Sequence, residues 1–355
     1  MNHLRVALLG IGTIGSELLR RTKGKPETVY VALADRSGAV AKEEGFSQAD
    51  LDRILELKGS GGRLKDLEGD HMNIGEMLSV IRDFDVDVLV DVTDAQTHGL
   101  FMDALDEAHI VSSNKVPIAE VRYDGYAELI AKADEQHKVL DYGTTVGAGL
   151  KLPDVVKRLS VYGVERINGC LSGTMNYVSQ RLNEGAFLST ALSEAMKPPR
   201  NYTEPDPRTD LGGDDFVRKL VILGRICGNS VERDMVQVES LLSDELKAMS
   251  INDFLEALPS LDDDMSRRAE DAKWDGNRIW YLGKGDLENE EYSIGFEDVL
   301  VGDPITRSRE SDNVLTIHPR HWRRPVTVMG PGAGPQETVA GILSGLSSIH
   351  RLCHR

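Results

Sequence analysis

The stretch Leu4-Arg5-Val6-Ala7-Leu8-Leu9-Gly10-Ile11-Gly12-Thr13-Ile14-Gly15 decides the fold. An apolar run of strand length feeds a GxGxxG turn, and a helical pattern over 16–22 opens behind it. Gly10 permits the tight turn, Gly12 lets the backbone approach a pyrophosphate, and Gly15 lets the helix pack closely on the sheet. The helix N-terminus supplies N–H groups and the positive end of a dipole to an anion, and Thr13 and Ile14, inside the glycine turn, are expected to contact the cofactor. This is the context of a dinucleotide-binding turn.

The rhythm continues outward from that stretch. Apolar runs at 29–34, 86–92, 109–113 and 139–142 predict strands, and amphipathic runs at 74–82, 97–107 and 123–136 predict helices. Such alternation predicts an α/β chain whose first domain is a Rossmann-type, doubly wound parallel sheet. Residues 37–70 are polar and glycine-bearing, with no assigned element, and are expected to drape over the cofactor. From Thr145 onward, helical patterns at 171–182 and 216–227, a charged helical tract at 234–271, and strands at 279–282 and 313–317 predict an α+β domain. A glycine-rich turn, Gly330-Pro331-Gly332-Ala333-Gly334, precedes a last helical run at 338–349. The expected division is a dinucleotide-binding domain over 1–143, joined by 330–355, and a catalytic, substrate-binding and dimerisation domain over 144–329.

Composition narrows the partners. A net charge of −17 over 355 residues argues against nucleic acid or an anionic membrane, since both need a basic surface. It also means that any nucleotide site must create its own positive field. The three cysteines, Cys170, Cys227 and Cys353, have no CxxC spacing, which excludes a disulfide framework and argues against structural zinc. No signal-peptide layout and no uninterrupted apolar stretch of membrane length is seen, so a cytoplasmic protein is expected.

Cofactor choice turns on Asp35-Arg36-Ser37 at the end of the second predicted strand. An acid there pairs ribose hydroxyls and favours NAD, whereas an adjacent arginine accepts a 2′-phosphate and favours NADP. Both are present; Arg36, with Lys58 as a second phosphate cation, tips the expectation towards NADP with NAD use possible. Lys58 reads equally well as a solvated surface lysine.

The segment Glu204-Pro205-Asp206-Pro207-Arg208-Thr209-Asp210-Leu211-Gly212-Gly213-Asp214-Asp215-Phe216-Val217-Arg218-Lys219 holds five carboxylates and one lysine around a proline and glycine hinge. Carboxylates grip an ammonium group and a lysine moves a proton. Asp215 and Lys219, four apart, share one helix face. Alone, that pair is more often a surface ion pair. The apolar run Leu220-Val221-Ile222-Leu223 behind it predicts a largely buried helix.

That segment resembles the signature of the homoserine dehydrogenase family. So do Ser113-Asn114-Lys115-Val116-Pro117, Thr145-Val146-Gly147-Ala148-Gly149, Leu171-Ser172-Gly173-Thr174-Met175-Asn176-Tyr177 and the Gly330–Gly334 run, in family order. The resemblance implies NAD(P)-dependent interconversion of L-homoserine and L-aspartate 4-semialdehyde, in threonine, methionine and isoleucine biosynthesis. It implies Lys219 as the carrier of the hydroxyl proton, assisted by Lys115, which also contacts the cofactor. Glu204 and Asp215 would bind the substrate ammonium, with Asp210 shaping the same pocket; Gly173, Thr174 and Tyr202 would line the substrate. Thr93, Gly332 and Gly334 match cofactor positions, and a homodimer formed through the second domain is implied.

Two departures from the family pattern stand out. Gly143 takes the place of a glutamate beside the family's sodium ion, leaving only the carbonyls of Val146 and Ala148, so a sodium site is not expected. In a regular strand Asp141 shares a face with Gly143 and could reach partway to that place. The chain also begins at the cofactor strand and stops soon after Gly334, so no built-in regulatory domain or aspartate kinase module is expected. Two rival readings are an aspartate-semialdehyde-type dehydrogenase with Cys170 as nucleophile, and a cofactor-binding regulator without catalysis. The first needs an activated thiolate; the second needs damaged catalytic positions, and Lys115, Asp215 and Lys219 are all present.

Overall fold

The computed structural model describes residues 3–67 and 72–354, so the last three residues of the 37–70 stretch lie outside the described residues. The chain divides into two compact units, Met1–Lys151 with Gly334–Arg355, and Leu152–Ala333.

The first unit is built on six strands: β1 Leu4–Leu9, β2 Thr28–Asp35, β3 Gly38–Ala41, β4 Val88–Asp91, β5 His109–Ser112 and β6 Leu140–Asp141. Their order is β3-β2-β1-β4-β5-β6. Pairing is parallel except for β3, which folds back on β2 with Asp35 opposite Gly38. Helices α1 Thr13–Thr22, α2 Gln48–Gly59, α3 Met77–Asp83, α4 His98–Ala104, α5 Val116–Ala119 and α6 Tyr123–Glu135 follow or connect these strands. Since β1 sits between β2 and β4, the chain crosses to opposite sides of it, and the crevice for a ligand opens at the strands' carboxyl ends. The core joins Leu4, Val6, Leu8, Leu18, Leu33, Val88, Val90 and Val111 to Ile342, Leu346 and Ile349 of the C-terminal helix Pro335–Cys353.

Residues 37–67, left without an element by the sequence pattern, carry elements of their own. Asp35 closes a tight turn by accepting the Ser37 N–H, and Gly38, at φ +147°, starts β3. Ser47 and Asp50 form a capping box that starts α2. These are short local devices inside a polar sequence, which is why hydrophobic periodicity passes over them. The C-terminal helix returns to the first unit along the segment after β6. A Cβ on Gly149 would lie 2.8 Å from the Glu337 carbonyl oxygen, and one on Gly341 2.3 Å from the Thr144 methyl. That close seat places residues up to Lys151 with the first unit.

The second unit contains β7 Val164–Cys170, β8 Val236–Val238, β9 Asn277–Asp286, β10 Glu291–Leu300, β11 Asp312–Pro319 and β12 Val326–Pro331, in the order β12-β11-β7-β9-β10-β8. Only the β8–β10 pair is parallel. Its helices are α7 Leu152–Ser160, α8 Gly173–Asn183, α9 Leu188–Met196, α10 Arg208–Gly212, α11 Asp214–Ile226, α12 Asp244–Ala248, α13 Ile251–Ala257 and α14 Asp262–Trp274. The expected continuous helical tract over 234–271 is broken. It begins in a 3-10 turn that leads into β8, and the Ser243 and Ser250 side chains cap fresh helices by accepting the N–H groups of Leu246 and Asp253. The glycine-rich run expected as a turn begins inside a strand, because Gly330 and Pro331 end β12. Among the described residues, no helix is long and apolar enough to cross a membrane.

Candidate active site

In the first unit, the turn after β1 has the shape its glycines require. Gly10 stands at φ +96°, and an added Cβ would lie 3.0 Å from the Thr93 methyl and 3.1 Å from the Val92 carbonyl oxygen. A Cβ on Gly15 would sit 1.9 Å from the Gly10 carbonyl oxygen, so only glycine lets α1 start this close to the turn. At Gly12 the same test meets nothing within 4 Å, and α1 begins there without a side-chain cap. An uncapped helix start facing open space fits the pyrophosphate of a dinucleotide.

Asp35 does not stand free at the end of β2. One oxygen accepts the Ser37 N–H at 2.8 Å and hydroxyl at 2.6 Å; the other accepts Lys58 Nζ at 2.7 Å and the Leu64 N–H at 3.0 Å. Burial would raise this carboxyl, but the Lys58 ammonium and the Ser37 donors outweigh it and pull it down to about 2. Lys58 lies on α2, largely buried against Asp35, and is not a solvated surface lysine. Arg36 points outward, 92% exposed, with Asp94 3.6 Å away.

Lys115 is the N-cap of α5, directly after β5. Thr93 follows β4, its N–H and hydroxyl both given to Asp91. Sequence reasoning missed the group that joins them: Asn114, whose carboxamide lies within 3.2 Å of Asp91, Thr93, Ala95 and Thr97. Its place beside Lys115 in the Ser113–Pro117 motif was the available signal.

The sodium-related segment is turned differently from a strand. The chain enters a 3-10 turn at Gly143–Thr145, and Asp141 gives one oxygen to the Gly143 N–H (3.0 Å) and the other to Lys151 Nζ (2.7 Å). Gly143 and Asp141 therefore do not share a strand face. The Ala148 carbonyl accepts the Lys151 N–H at 3.1 Å. Among the described residues, no group of three or more His, Cys, Asp or Glu could hold a metal ion.

The second unit gathers the acidic segment. Gly213, in the left-handed region at φ +75°, ends α10 and starts α11, which puts Asp214 and Asp215 in the first turn of α11. One turn on, Lys219 is buried at 9% exposure; its Nζ donates to Asp215 Oδ2 at 2.8 Å and to the Leu171 carbonyl at 2.7 Å. Ser172 caps α8, and Gly173 starts it against Ser311, whose Cβ would stand 2.9 Å from an added methyl. Thr174 Oγ1 lies 2.8 Å from both the Tyr202 carbonyl and Asp210 Oδ1, and Asp210 Oδ2 accepts the Glu204 N–H at 2.9 Å. Ser172, Glu204, Thr209, Asp210, Gly213, Asp215 and Phe216 line one small cavity. Tyr202 turns its hydroxyl to Glu310, at 2.7 Å. The structure thus brings Glu204, Asp210, Asp215, Thr174 and Lys219 into one connected group.

Gly332 has a packing reason of its own. An added Cβ would lie 2.0 Å from Cγ of the buried Asn313, whereas Gly334 stands at φ +119° beside Glu337. Cys170 is fully buried, and burial pushes its thiol up to about 12 against the weaker pull of the Ser172 backbone and Lys219. An inert, protonated thiol removes the cysteine-nucleophile reading.

Residues 10–142 match the family model "Homoserine dehydrogenase, NAD binding domain", and residues 154–346 match "Homoserine dehydrogenase". The homoserine dehydrogenase of Schizosaccharomyces pombe is 29% identical over 98% of this chain and 95% of its own length. A bifunctional aspartokinase/homoserine dehydrogenase of Haemophilus influenzae is 33% identical over 96% of this chain, which spans 42% of that relative. A Candida auris protein of unknown function shares the fold at a TM-score of 0.85, with 26% identity and 98% of both chains covered. A hyperthermophilic archaeal homoserine dehydrogenase in complex with NADPH shares it at 0.74, with 21% identity and 99% of both chains covered. Fold and site together define an NAD(P)-linked oxidoreductase. The chain belongs to the homoserine dehydrogenase family.

Asp210 supplies a direct check on the acidic group. Burial, with Glu204 and Asp215 nearby, raises its carboxyl to about 6 against the pull of the Thr174 and Glu204 hydrogen bonds. The neutral form's contribution to stability is therefore full below about pH 4 and is lost as pH rises through about 6. Carbon-13 NMR of the Asp210 carboxyl should show a midpoint near 6. Thr174→Val should move it up and Asp215→Asn should move it down; a midpoint in the ordinary aspartate range in all three proteins would contradict this site electrostatics.

Proposed function

We propose that the protein oxidises L-homoserine to L-aspartate 4-semialdehyde with NADP, releasing NADPH and a proton, and catalyses the reverse. The observation that carries this reading is the buried Lys219 side chain, joined to the carboxylate group of Glu204, Asp210 and Asp215 through Asp215. The bound nicotinamide supplies the two-electron acceptor for the carbinol hydride. The rest is the work of the chain. Glu204, Asp210 and Asp215 pair the substrate ammonium, which fixes the distance of the hydroxyl-bearing carbon from that anchor. Lys219 takes the hydroxyl proton during oxidation as the neutral amine, and the ammonium so formed returns it during reduction. The amine's two N–H bonds are engaged by Asp215 and Leu171, which fixes the direction of its lone pair. Lys115 adds a second positive charge for the developing alkoxide. Gly173, Thr174 and Tyr202 line the substrate.

The NADP preference rests on the end of β2. With both oxygens of Asp35 engaged by the protein, that carboxylate is a poor acceptor for ribose hydroxyls and serves to hold Lys58. The exposed Arg36 is the group for the 2′-phosphate, with Lys58 behind it. Gly10 to Gly15, Thr93, Lys115, Gly332 and Gly334 complete the cofactor positions. Sodium is not required in this reading: the Lys151 ammonium already neutralises Asp141, and equal rates in sodium and choline buffers are expected. The protein acts as a homodimer through its second unit, where Trp274, at the end of α14, is 92% exposed and Leu300, which ends β10 opposite Asn277 at the start of β9, is 74% exposed. Sedimentation equilibrium tests this, and a monomer at micromolar concentration would refute it.

Reduced-nicotinamide absorbance should rise when the protein is mixed with NADP and L-homoserine; no rise with NADP or NAD would refute the activity. Lys219→Ala should lower turnover by roughly two to four powers of ten with cofactor affinity largely kept, since it removes a proton carrier. Arg36→Ala should weaken NADP roughly ten- to a hundredfold and NAD much less, because only NADP offers the 2′-phosphate. Equal losses for the two cofactors would make Arg36 structural.

A further inference from the structure

Two loops leave the carboxyl ends of the adjacent parallel strands β4 and β5, and a single buried side chain ties them together. Asp91, at the end of β4, is 0% exposed, yet its carboxylate is met by four neutral donors. Oδ1 accepts the Thr93 N–H at 2.9 Å and hydroxyl at 2.7 Å; Oδ2 accepts the Thr97 hydroxyl at 2.7 Å and the Asn114 carboxamide at 3.0 Å. Asn114, 1% exposed, also donates to the Ala95 carbonyl at 2.8 Å, and its Oδ1 accepts the Val116 N–H at 3.0 Å. Its own N–H goes to Ser112 Oγ, which donates in turn to the Asp91 carbonyl.

Lys115 lies between the two bonds that Asn114 makes along the chain. The preceding residue is locked by its side chain, the following N–H is held by that same side chain, and Pro117 stiffens the start of α5. The Lys115 carbonyl accepts the Ala119 N–H at 2.8 Å. The root of the lysine is therefore rigid, and it is rigid in a frame that also holds Thr93.

We propose that Asp91 and Asn114 form a positioning pair that sets Thr93 and Lys115 in one fixed relation, so that cofactor binding at Thr93 and the alkoxide-stabilising charge of Lys115 are gained or lost together. This rests on the roles given above to Thr93 and Lys115. The pair is one carboxylate facing one carboxamide that donates to it. A second carboxylate in place of the carboxamide would face Asp91 at hydrogen-bond distance, and two carboxylates that close hold one proton between them until the pH rises. Asn114→Asp therefore converts the clamp into one that holds at low pH and splays at high pH.

The test is the NADPH dissociation constant, read by cofactor fluorescence from pH 5.5 to 9, beside kcat and KM for homoserine. For Asn114→Asp the dissociation constant should rise roughly tenfold or more between pH 6 and pH 9 relative to wild type. kcat should fall with it, while KM for homoserine stays within about twofold, as expected for a frame that leaves the acidic group untouched. The exchange Asp91→Asn with Asn114→Asp restores one carboxylate facing one carboxamide and should remove the basic limb. Asn114→Ser, uncharged, should lose roughly tenfold in kcat and NADPH affinity at every pH, which keeps the test available if the charged variant does not fold. Wild-type behaviour of Asn114→Asp across the range, or a loss that is independent of pH and not repaired by the exchange, would overturn the proposal. A wild type that binds NADPH but does not oxidise homoserine would refute the proposed activity, and the NADPH-binding measurements would still decide the clamp.

Discussion

A lysine ammonium removed from water must be paired, and the second unit is organised around that requirement. Lys219 is satisfied by one carboxylate from its own helix and one carbonyl from the residue just past β7. The first partner fixes where α11 begins: Asp215 can reach Lys219 only one turn back on the same helix, so the chain must enter at Gly213, whose left-handed backbone few other residues adopt. The second partner fixes the path after β7, because the Leu171 carbonyl must point at the lysine while Ser172 starts α8. Asp210, Thr174 and the Glu204 N–H then close on one another from those two fixed starts. The same group is electrostatically frustrated. Three carboxylates crowd a cavity next to one engaged ammonium, and Asp210 carries the consequence as a raised carboxyl. A cationic ligand relieves that repulsion, which is the physical reason to expect an amino group there.

The first unit meets the opposite problem, an anionic ligand on a chain of net charge −17. Its answer is local. A helix start without a side-chain cap faces open space at Gly12, and Asp35 uses its charge inward, to hold Lys58. The arginine beside it stays in solvent. A lysine also takes the charge-balancing place in the segment after β6, where Lys151 pairs Asp141.

The sequence was most legible where the signal is short-range. Leu4–Leu9 and the glycine turn behind it are read from adjacent residues, and the structure returns those bounds. The Lys219 pair was legible because helical spacing puts Asp215 on its face. What escaped was written in contacts between distant residues or in single polar groups. The β2–β3 hairpin depends on one carboxylate accepting one N–H, and α2 on one serine–aspartate cap. β7 contains Asn168 and Gly169, which hide it from any apolar pattern. The engagement of Asp35 by Lys58 joins residues 23 apart, so a sequence shows both groups and not their pairing. Asn114 stands beside Lys115 in the sequence, and nothing in that adjacency shows that its carboxamide joins two loops.

The central claim is that an acidic group grips an amine while Lys219 handles the proton of the hydroxyl. The most direct measurement is kcat/KM for L-homoserine against 4-hydroxybutanoate, the same alcohol without the amino group, at saturating NADP. The account predicts a loss of roughly a thousandfold or more, because carboxylates built to pair an ammonium are left facing one another without it. Comparable values for the two alcohols would contradict it.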